Sequence, residues 1–234
     1  MAANELDMWA MGYGSIILDD FYGLLPCGLD TEGKLLDAGC GEGRHAKNWK
    51  RIAPKLSVYG FDLSKDYIRF AVDNFQANGR FLVAGLEEMP FADAEFDYVA
   101  CSEVVEHVET PERAVAEIFR VLKPGGLAAI ATPNGATLYI YALAQRLRRG
   151  LGKRGAPVGA DHTRPPGFWR RELRRAGFVV EKEVYDWIAM DFMVYMAPPF
   201  VMRTFGRWLE PLRCIPGVRY LLADHVKFLV RKPR

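Results

Sequence analysis

Paired cysteines and long apolar runs are both missing from this 234-residue chain. The four cysteines are isolated, with no C-x-x-C pair and no Cys/His spacing typical of a bound metal: Cys27, Cys40, Cys101 and Cys214. This pattern argues against a disulfide scaffold and predicts no metal site. The most apolar late stretch, Trp187–Met202, contains an aspartate and two prolines and is shorter than the ~20 apolar residues that a membrane-spanning helix needs.

The first residues also lack the pattern of a secretory leader. Met1–Asp7 has no basic side chain, and no long uninterrupted apolar segment follows it. We therefore expect a cytoplasmic protein.

Charge of one sign is not in excess, but it is unevenly distributed. The chain has 31 basic and 29 acidic residues, which does not suggest a nucleic-acid packaging protein. Between Ala144 and Arg175, however, there are ten basic and two acidic residues, so the remainder carries a net charge of −6. This basic segment has three interpretations. It is a solvated helix face, a surface that binds anionic lipids at the inner face of the cell membrane, or an RNA-binding patch. Apolar side chains in this segment and just before it, among them Leu143 and Leu147, favour the membrane over RNA.

Strand-like and helix-like segments alternate through the first part of the chain. Strands are predicted at Lys34–Ala38, Ser57–Asp62, Arg80–Ala84, Phe96–Cys101, Leu127–Thr132, Phe178–Tyr185 and His225–Arg231. Helices are predicted at Arg44–Ile52, at Lys65–Ala77 with Ser64 as N-cap, at Pro111–Leu122 and at Phe168–Ala176. A turn is expected at Lys123-Pro124-Gly125-Gly126. This alternation is typical of an α/β fold with a mostly parallel sheet covered on both faces.

The glycine loop after the first predicted strand is the strongest functional signal. The run from Asp37 to Gly43 places glycines at 39, 41 and 43, whereas a dinucleotide fingerprint would need one at position 44, which is Arg44. Asp37 would repel a pyrophosphate and favour an ammonium group. Asp62, at the end of the second strand, can accept hydrogen bonds from both ribose hydroxyls. A ligand with an amino-acid end, a ribose and no phosphate is S-adenosylmethionine (SAM).

With these residues the sequence resembles the class I SAM-dependent methyltransferases, in the ubiquinone-biosynthesis O-methyltransferase branch. The likeness covers Lys34–Thr132 closely, and includes the run Phe96–Val108, the turn Leu122–Gly126 and Thr132-Pro133-Asn134. It implies a doubly wound, seven-stranded, mostly parallel Rossmann-like sheet with a helical lid. The implied divisions are an N-terminal helical cap (1–33), a SAM-binding core (34–135), a basic lid insertion (136–166), and the C-terminal part of the sheet (167–234) with an aromatic cap at 187–222.

The resemblance also implies the cofactor-binding residues. These are Asp37, Gly39, Gly41, Asp62, Leu63, Leu86, Glu87 and Ser102. Relatives often carry an aspartate for the adenine amino group where this chain has Gly85. We therefore expect the adenine contact from the backbone around Leu86, or from Glu87.

Four histidines are candidates for removing a proton from an acceptor. His107 follows the fourth strand, where cofactor and acceptor should meet, and is either catalytic or a packing residue. His162 lies in the basic insertion and is the second catalytic candidate. His45 is interpreted as a solvated residue at a helix start, and His225 as structural. Of the nearby acids, Glu103 either lines the acceptor side or bonds to backbone, and Glu106 is expected on a solvated face.

These residues together predict methyl transfer to a small or lipid-like, largely apolar acceptor, with oxygen as the favoured atom. No nucleic-acid partner is expected. The alternatives are a SAM-binding protein of this fold that transfers no methyl group, acting as a partner or regulatory subunit, or a C- or N-methyltransferase of a natural-product or quinone pathway. An aminopropyl transferase is disfavoured, because it needs acidic residues to hold a polyamine.

Overall fold

Strands and helices alternate along the computed structural model, which describes residues 21–140, 143, 163–188 and 215–234. The strands are β1 (Gly33–Ala38), β2 (Leu56–Asp62), β3 (Arg80–Val83), β4 (Phe96–Ser102), β5 (Leu122–Pro133), β6 (Val179–Ile188) and β7 (Ala223–Arg231). The helices are α1 (Arg44–Ile52), α2 (Lys65–Phe75), α3 (Pro111–Val121), α4 (Pro166–Arg175) and α5 (Pro216–Leu222), and residues 135–140 are also helical.

The strands form one seven-stranded sheet in the order β3-β2-β1-β4-β5-β7-β6. β1 to β5 pair in parallel, and β7 lies antiparallel between β5 and β6. This confirms the predicted sheet. The strand order reverses between β1 and β4, and ligands of open α/β sheets bind at the carboxyl ends of the strands beside such a reversal.

The two faces of the sheet are covered by different elements. On β1, the neighbouring residues Leu35 and Leu36 are both fully buried but belong to separate clusters, since successive side chains of a strand point to opposite faces. Leu35 packs in the cluster that contains Trp49 of α1, and Leu36 in the one that contains Ile118 of α3. A strand that is buried on both faces is largely apolar, and this explains why Lys34–Ala38 is recognised in the sequence as a short apolar run.

The start of α2 is set by the N-cap residue that the sequence predicts. The hydroxyl of Ser64 accepts a 3.3 Å hydrogen bond from the amide of Tyr67 and so caps α2. α2 ends at Phe75, two residues before the predicted end.

The predicted turn at Lys123–Gly126 lies inside a strand instead. β5 already begins at Leu122, opposite Phe96, and its next partner pair is Leu127 with Tyr98, so four residues form a bulge. Gly125 takes a φ of 84° there. The bulge remains part of the sheet because its backbone pairs with Lys232, just beyond the end of β7.

Most of the predicted N-terminal cap, lid and aromatic cap lies outside the described residues. Residues 21–33 of the cap are described, and Phe21 and Leu25 are buried in the cluster with Trp49. Residues 136–140, with which the predicted lid begins, are helical. Within the described ranges, the helices are too short or too polar to cross a membrane.

Candidate functional site

The loop between β1 and α1 forms a bare backbone cradle at the carboxyl edge of the sheet. Gly39, Gly41 and Gly43 all have positive φ, at 76°, 51° and 79°. The amides of Gly39 and Cys40 donate to the carbonyl of Phe61 on β2, at 2.9 and 2.8 Å. The loop is therefore held against the end of the neighbouring strand, in a conformation that favours glycine.

The glycines have different surroundings. A Cβ on Gly39 would lie 2.3 Å from a methyl of Val104, so this position needs glycine for close packing. A Cβ on Gly43 would lie 2.8 Å from the Cβ of Ala71 in α2. A Cβ on Gly41 would meet no atom within 4 Å. Gly41 thus faces open space, and its backbone is accessible to a ligand.

Asp62 fixes this loop from the end of β2. One carboxylate oxygen accepts from the amide of Gly41 at 3.0 Å, and the other from the amide of Ser64 at 2.9 Å. Each oxygen keeps a second lone pair. The carboxylate is thereby oriented in advance and can still accept from ribose hydroxyls.

Asp37 is almost fully buried under the cradle at the end of β1. Its Oδ2 has no hydrogen-bond partner among the described residues. Burial raises the pKa of Asp37; the nearby His45 lowers it and Asp62 raises it. A buried carboxylate oxygen without a donor is costly, and an ammonium group would satisfy it.

Apolar side chains lie on the far side of Asp62, where the base of a nucleoside is predicted. Leu63 is exposed, Leu86 is buried, and Gly85 leaves open space up to Leu63, whose nearest atom would be 3.9 Å from an added Cβ. Glu87 is engaged elsewhere: its Oε1 accepts from the amide of Thr110 at 2.7 Å, before α3. One oxygen of Glu87 is thus used to hold the loop before α3.

A buried acidic cluster lies beyond β4, where the acceptor is predicted. Glu106 is only 2% exposed, so its expected position on a solvated face is wrong. Its Oε2 accepts a 3.0 Å hydrogen bond from Thr132 of β5. Burial, and then the charge of Glu103, raise its pKa to about 8. A neutral Glu106 at physiological pH accounts for its tolerance of a buried position beside a second acid.

Glu103 has unusual backbone geometry in the same cluster. Its φ is 56°, which is uncommon for a residue other than glycine, and its amide donates to the carbonyl of Ala131 at 3.0 Å. Its Oε2 lies 3.4 Å from Nε2 of His225, at the start of β7. The sheet therefore brings the ends of β4 and β5 together with the start of β7, which the sequence alone did not reveal.

Of the two histidines predicted as catalytic, only His107 lies within the described residues. His107 lies next to the cluster, with Nε2 3.9 Å from Oε1 of Glu106, and its side chain is 66% exposed. It is thus at the predicted edge and accessible. His162 lies outside the described residues.

The segment after β5 clamps the last part of the sheet. Asn134 is fully buried, and its amide nitrogen donates to the carbonyls of Tyr220 and Ala223, both at 2.9 Å. Thr137 donates to the carbonyl of Leu221 at 3.0 Å. These contacts place the helical residues 135–140 at the same edge as the cradle.

Comparison with known proteins agrees with this geometry. Residues 36–130 match the model of a methyltransferase domain family. This range runs from the second half of β1 through most of β5 and contains the cradle, Glu103 and Glu106. The middle of the chain, residues 36–130, thus resembles a methyltransferase domain in sequence. The expected fold is thereby confirmed, and the expected family is matched over these residues.

Curated relatives of the methyltransferase domain include an O- and a C-methyltransferase. A malonyl-(acyl-carrier protein) O-methyltransferase of Pectobacterium atrosepticum is 32% identical over 99 residues, which are 42% of this chain and 38% of the relative. The ubiquinone/menaquinone biosynthesis C-methyltransferase UbiE of Desulfotalea psychrophila is 32% identical over 132 residues, 55% of this chain and 54% of the relative. The chain thus spans about half or less of the length of these relatives.

A solved structure extends the likeness to nearly the whole chain. A SAM-dependent methyltransferase from Mesorhizobium loti superposes with a TM-score of 0.63 and 19% identity, covering 91% of this chain and 96% of the other. At this identity the match shows the shared fold of the methyltransferase domain.

Proposed function

We propose that this protein transfers the methyl group of SAM to a small or lipid-like, largely apolar acceptor, with oxygen as the favoured atom. The observation that carries the proposal is the preformed cradle. Gly41 presents bare backbone to open space, and Asp62 is oriented beside it by the 3.0 Å bond from the Gly41 amide. Preorganisation of this kind lowers the cost of binding.

The residues around the cradle fit the three parts of SAM. The unpartnered Oδ2 of Asp37 suits the ammonium group, the Asp62 carboxylate suits the ribose, and Leu63 and Leu86 suit the adenine faces. Ser102, at the end of β4, borders the same edge of the sheet. Glu87 contributes less than expected to this binding, because one of its oxygens is engaged with Thr110.

The protein's part in the reaction is alignment, exclusion of water and removal of a proton. When bound, SAM supplies a methyl group activated by its positive sulfur. The acceptor oxygen forms the new bond to carbon as the carbon–sulfur bond breaks, and the acceptor proton must pass to a base. His107 is accessible at this edge, and we propose it and His162 as the bases to test.

Transfer of label tests the proposed activity. The protein is incubated with SAM labelled in the methyl group and with organic and aqueous extracts of cells, and labelled products are identified by mass spectrometry. We expect label in an apolar product, and much less of it with Asp62→Ala when SAM is kept below the concentration that saturates the wild type. Binding of SAM without any labelled product would instead favour a binding protein of this fold, and a label on carbon or nitrogen would overturn the assignment to oxygen.

The histidine variants refine the mechanism once a product is known. His162→Ala and His107→Ala should each be compared with the wild type for turnover and for SAM affinity. A base should lose at least tenfold in turnover while SAM affinity is unchanged. A histidine whose replacement leaves turnover unaltered is not the base.

We also propose contact with an anionic membrane surface, which would give access to a lipid-like acceptor. Tyr139 and Leu143 are 74% and 51% exposed and are four residues apart in sequence, shortly after the clamp at Asn134. Five basic residues follow within a short stretch of sequence: Arg146, Arg148, Arg149, Lys153 and Arg154. Exposed apolar side chains beside basic ones are typical of helices that bind at membrane interfaces.

Vesicle flotation tests this contact. The wild type should float with vesicles containing phosphatidylglycerol at low salt and should be released by high salt, whereas phosphatidylcholine vesicles should not bind it. Tyr139→Ser combined with Leu143→Ser should abolish flotation. The matched control is Leu29→Ser, an exposed leucine elsewhere in the chain that should have no effect. Absence of wild-type binding at low salt contradicts the proposal.

A further inference from the structure

His45 does not lie on a solvated face as its sequence position suggested. It is the second residue of α1, partly buried, and its imidazole packs against Tyr22 with 5.6 Å between ring centroids. Tyr22 is itself positioned by a hydrogen bond from Asn48 at 3.1 Å and by the ring of Trp49 at 4.7 Å. The imidazole is therefore held in place by packing from the segment that precedes β1.

One ring nitrogen of His45 is left without a partner. Nδ1 is buried, and among the described residues no side chain or backbone group bonds to it. A buried donor or acceptor without a partner costs roughly 1–3 kcal/mol. Such a cost at a residue next to a binding loop points to a partner supplied by a ligand.

Asp37 carries the complementary unsatisfied atom nearby. Its Oδ2 is also buried without a partner, and the two side chains are close enough for His45 to lower the pKa of Asp37. Despite this proximity, no hydrogen bond or ion pair joins them among the described residues. A group that carries both a positive and a negative charge can satisfy both side chains at once.

The surroundings of His45 favour the negatively charged end of such a group. The N-cap residue of α1 is Gly43, which offers no side-chain cap, and the first turn of the helix has no acidic residue. Glu42, the nearest acid in sequence, is paired with Arg44 at 2.7 Å. The positive end of the helix dipole is thus not neutralised from within the helix.

We propose that His45 binds the carboxylate of the amino-acid end of SAM, through a proton on Nδ1, while Asp37 binds the ammonium group. This inference rests on the proposed SAM site and assigns a residue to one part of it. Asp37 and His45 then form a pair that recognises the zwitterion, and a nucleoside without an amino-acid end gains nothing from either.

Three ligands that differ only at this end test the assignment by calorimetry. SAM has both charged groups, decarboxylated SAM keeps the ammonium group alone, and 5′-methylthioadenosine has neither. His45→Ala should weaken SAM about tenfold, as expected for loss of one charge-assisted hydrogen bond, and should leave the other two ligands unchanged. Asp62→Ala should weaken all three, because each keeps the ribose.

Controls separate the possible failures. Lys47→Ala, an exposed change on the same helix, should alter none of the affinities. Should His45→Ala unfold, His45→Asn keeps a donor near the same position and should retain part of the SAM affinity. An unchanged SAM affinity in His45→Ala, or an equal loss for SAM and decarboxylated SAM, overturns the role of His45. Failure of the wild type to bind any of the three ligands overturns the proposed function instead.

Discussion

The amide of Gly41 donates a 3.0 Å hydrogen bond to the carboxylate of Asp62, and so joins the loop after β1 to the end of β2. The same carboxylate accepts from Ser64 at 2.9 Å, next to the start of α2. Asp62 thus holds the binding loop and is also the proposed ribose ligand. A single substitution there should affect binding twice, through the lost contact and through a looser loop.

We expect Asp62→Ala to weaken SAM binding by roughly 10- to 100-fold, because hydrogen bonds to a charged group contribute about 1.5–3 kcal/mol. Isothermal titration calorimetry measures this directly. Asp73→Asn, an exposed acid on α2, is the control and should bind as the wild type does. Equal affinities for Asp62→Ala and the wild type would remove Asp62 from the site.

The two glycines of the cradle should respond differently to alanine. Gly39→Ala places a methyl group 2.3 Å from Val104, and overpacking together with the positive φ should lower the free energy of unfolding by about 2–4 kcal/mol. Gly41→Ala meets no neighbour and should cost about 1–2 kcal/mol from its φ alone. However, its methyl group would occupy the proposed ligand space, so Gly41→Ala should lose SAM binding.

Urea denaturation and calorimetry on both variants check this pair. Tight SAM binding by Gly41→Ala would show that the open space beside Gly41 is not where the ligand lies. A Gly39→Ala protein as stable as the wild type would show that Val104 yields without cost.

Glu106 should make the stability of the protein depend on pH. Burial, and then Glu103, raise its pKa from the ordinary value of 4.5 to about 8, so the folded state keeps the proton in a range where the unfolded chain loses it. This contribution is fully present below about pH 4.5 and is lost as the pH rises through about 8. Glu106→Gln cannot lose a proton, and should be less sensitive to pH over this range by up to about 1 kcal/mol per pH unit.

Urea denaturation at several pH values between about 5 and 8 measures the difference in slope. Glu109→Gln, an exposed acid in the same loop, should keep the wild-type slope. Parallel curves for Glu106→Gln and the wild type would mean that Glu106 is ionised in the folded protein.

Asn134 should be needed for the stability of the last part of the sheet. Asn134→Ala removes the Asn134 donor from the carbonyls of Tyr220 and Ala223, of which Ala223 keeps the Thr137 hydroxyl, and should lower the free energy of unfolding by about 1–3 kcal/mol. Asn134→Asp keeps the oxygen that accepts from Ala136 but removes both donors, so it should be similarly destabilised. Asn74→Ala, on the exposed side of α2, should change stability by less than about 0.5 kcal/mol in the same urea titrations.

Local patterns were sufficient to predict much of this fold. The bounds of α1 agree with the prediction, because Pro54 and the first glycines limit it on both sides. The positions of Asp37 and Asp62 also follow from the sequence, since parallel strands place their carboxyl ends at one edge. Local sequence patterns therefore predict the cradle and its position at the edge of the sheet.

Long-range contacts decided the features that the sequence did not reveal. Glu106 looks like a surface residue, but Thr132 of β5 donates a hydrogen bond to it and His225 of β7 is near enough to lower its pKa, and both are distant in sequence. The turn at Lys123–Gly126 became a bulge because the end of β7 pairs with its backbone. The ring nitrogen Nδ1 of His45 is buried without a hydrogen-bond partner, and the imidazole packs against Tyr22. The sequence pattern of α1 does not indicate this contact.

A crystal structure of the complex with S-adenosylhomocysteine tests the central claim most directly. The account predicts ribose hydroxyls within about 3 Å of the Asp62 carboxylate, with the amino-acid end lying on the backbone from Gly39 to Gly41. A nucleoside bound elsewhere, or side chains filling the space beside Gly41, would contradict it.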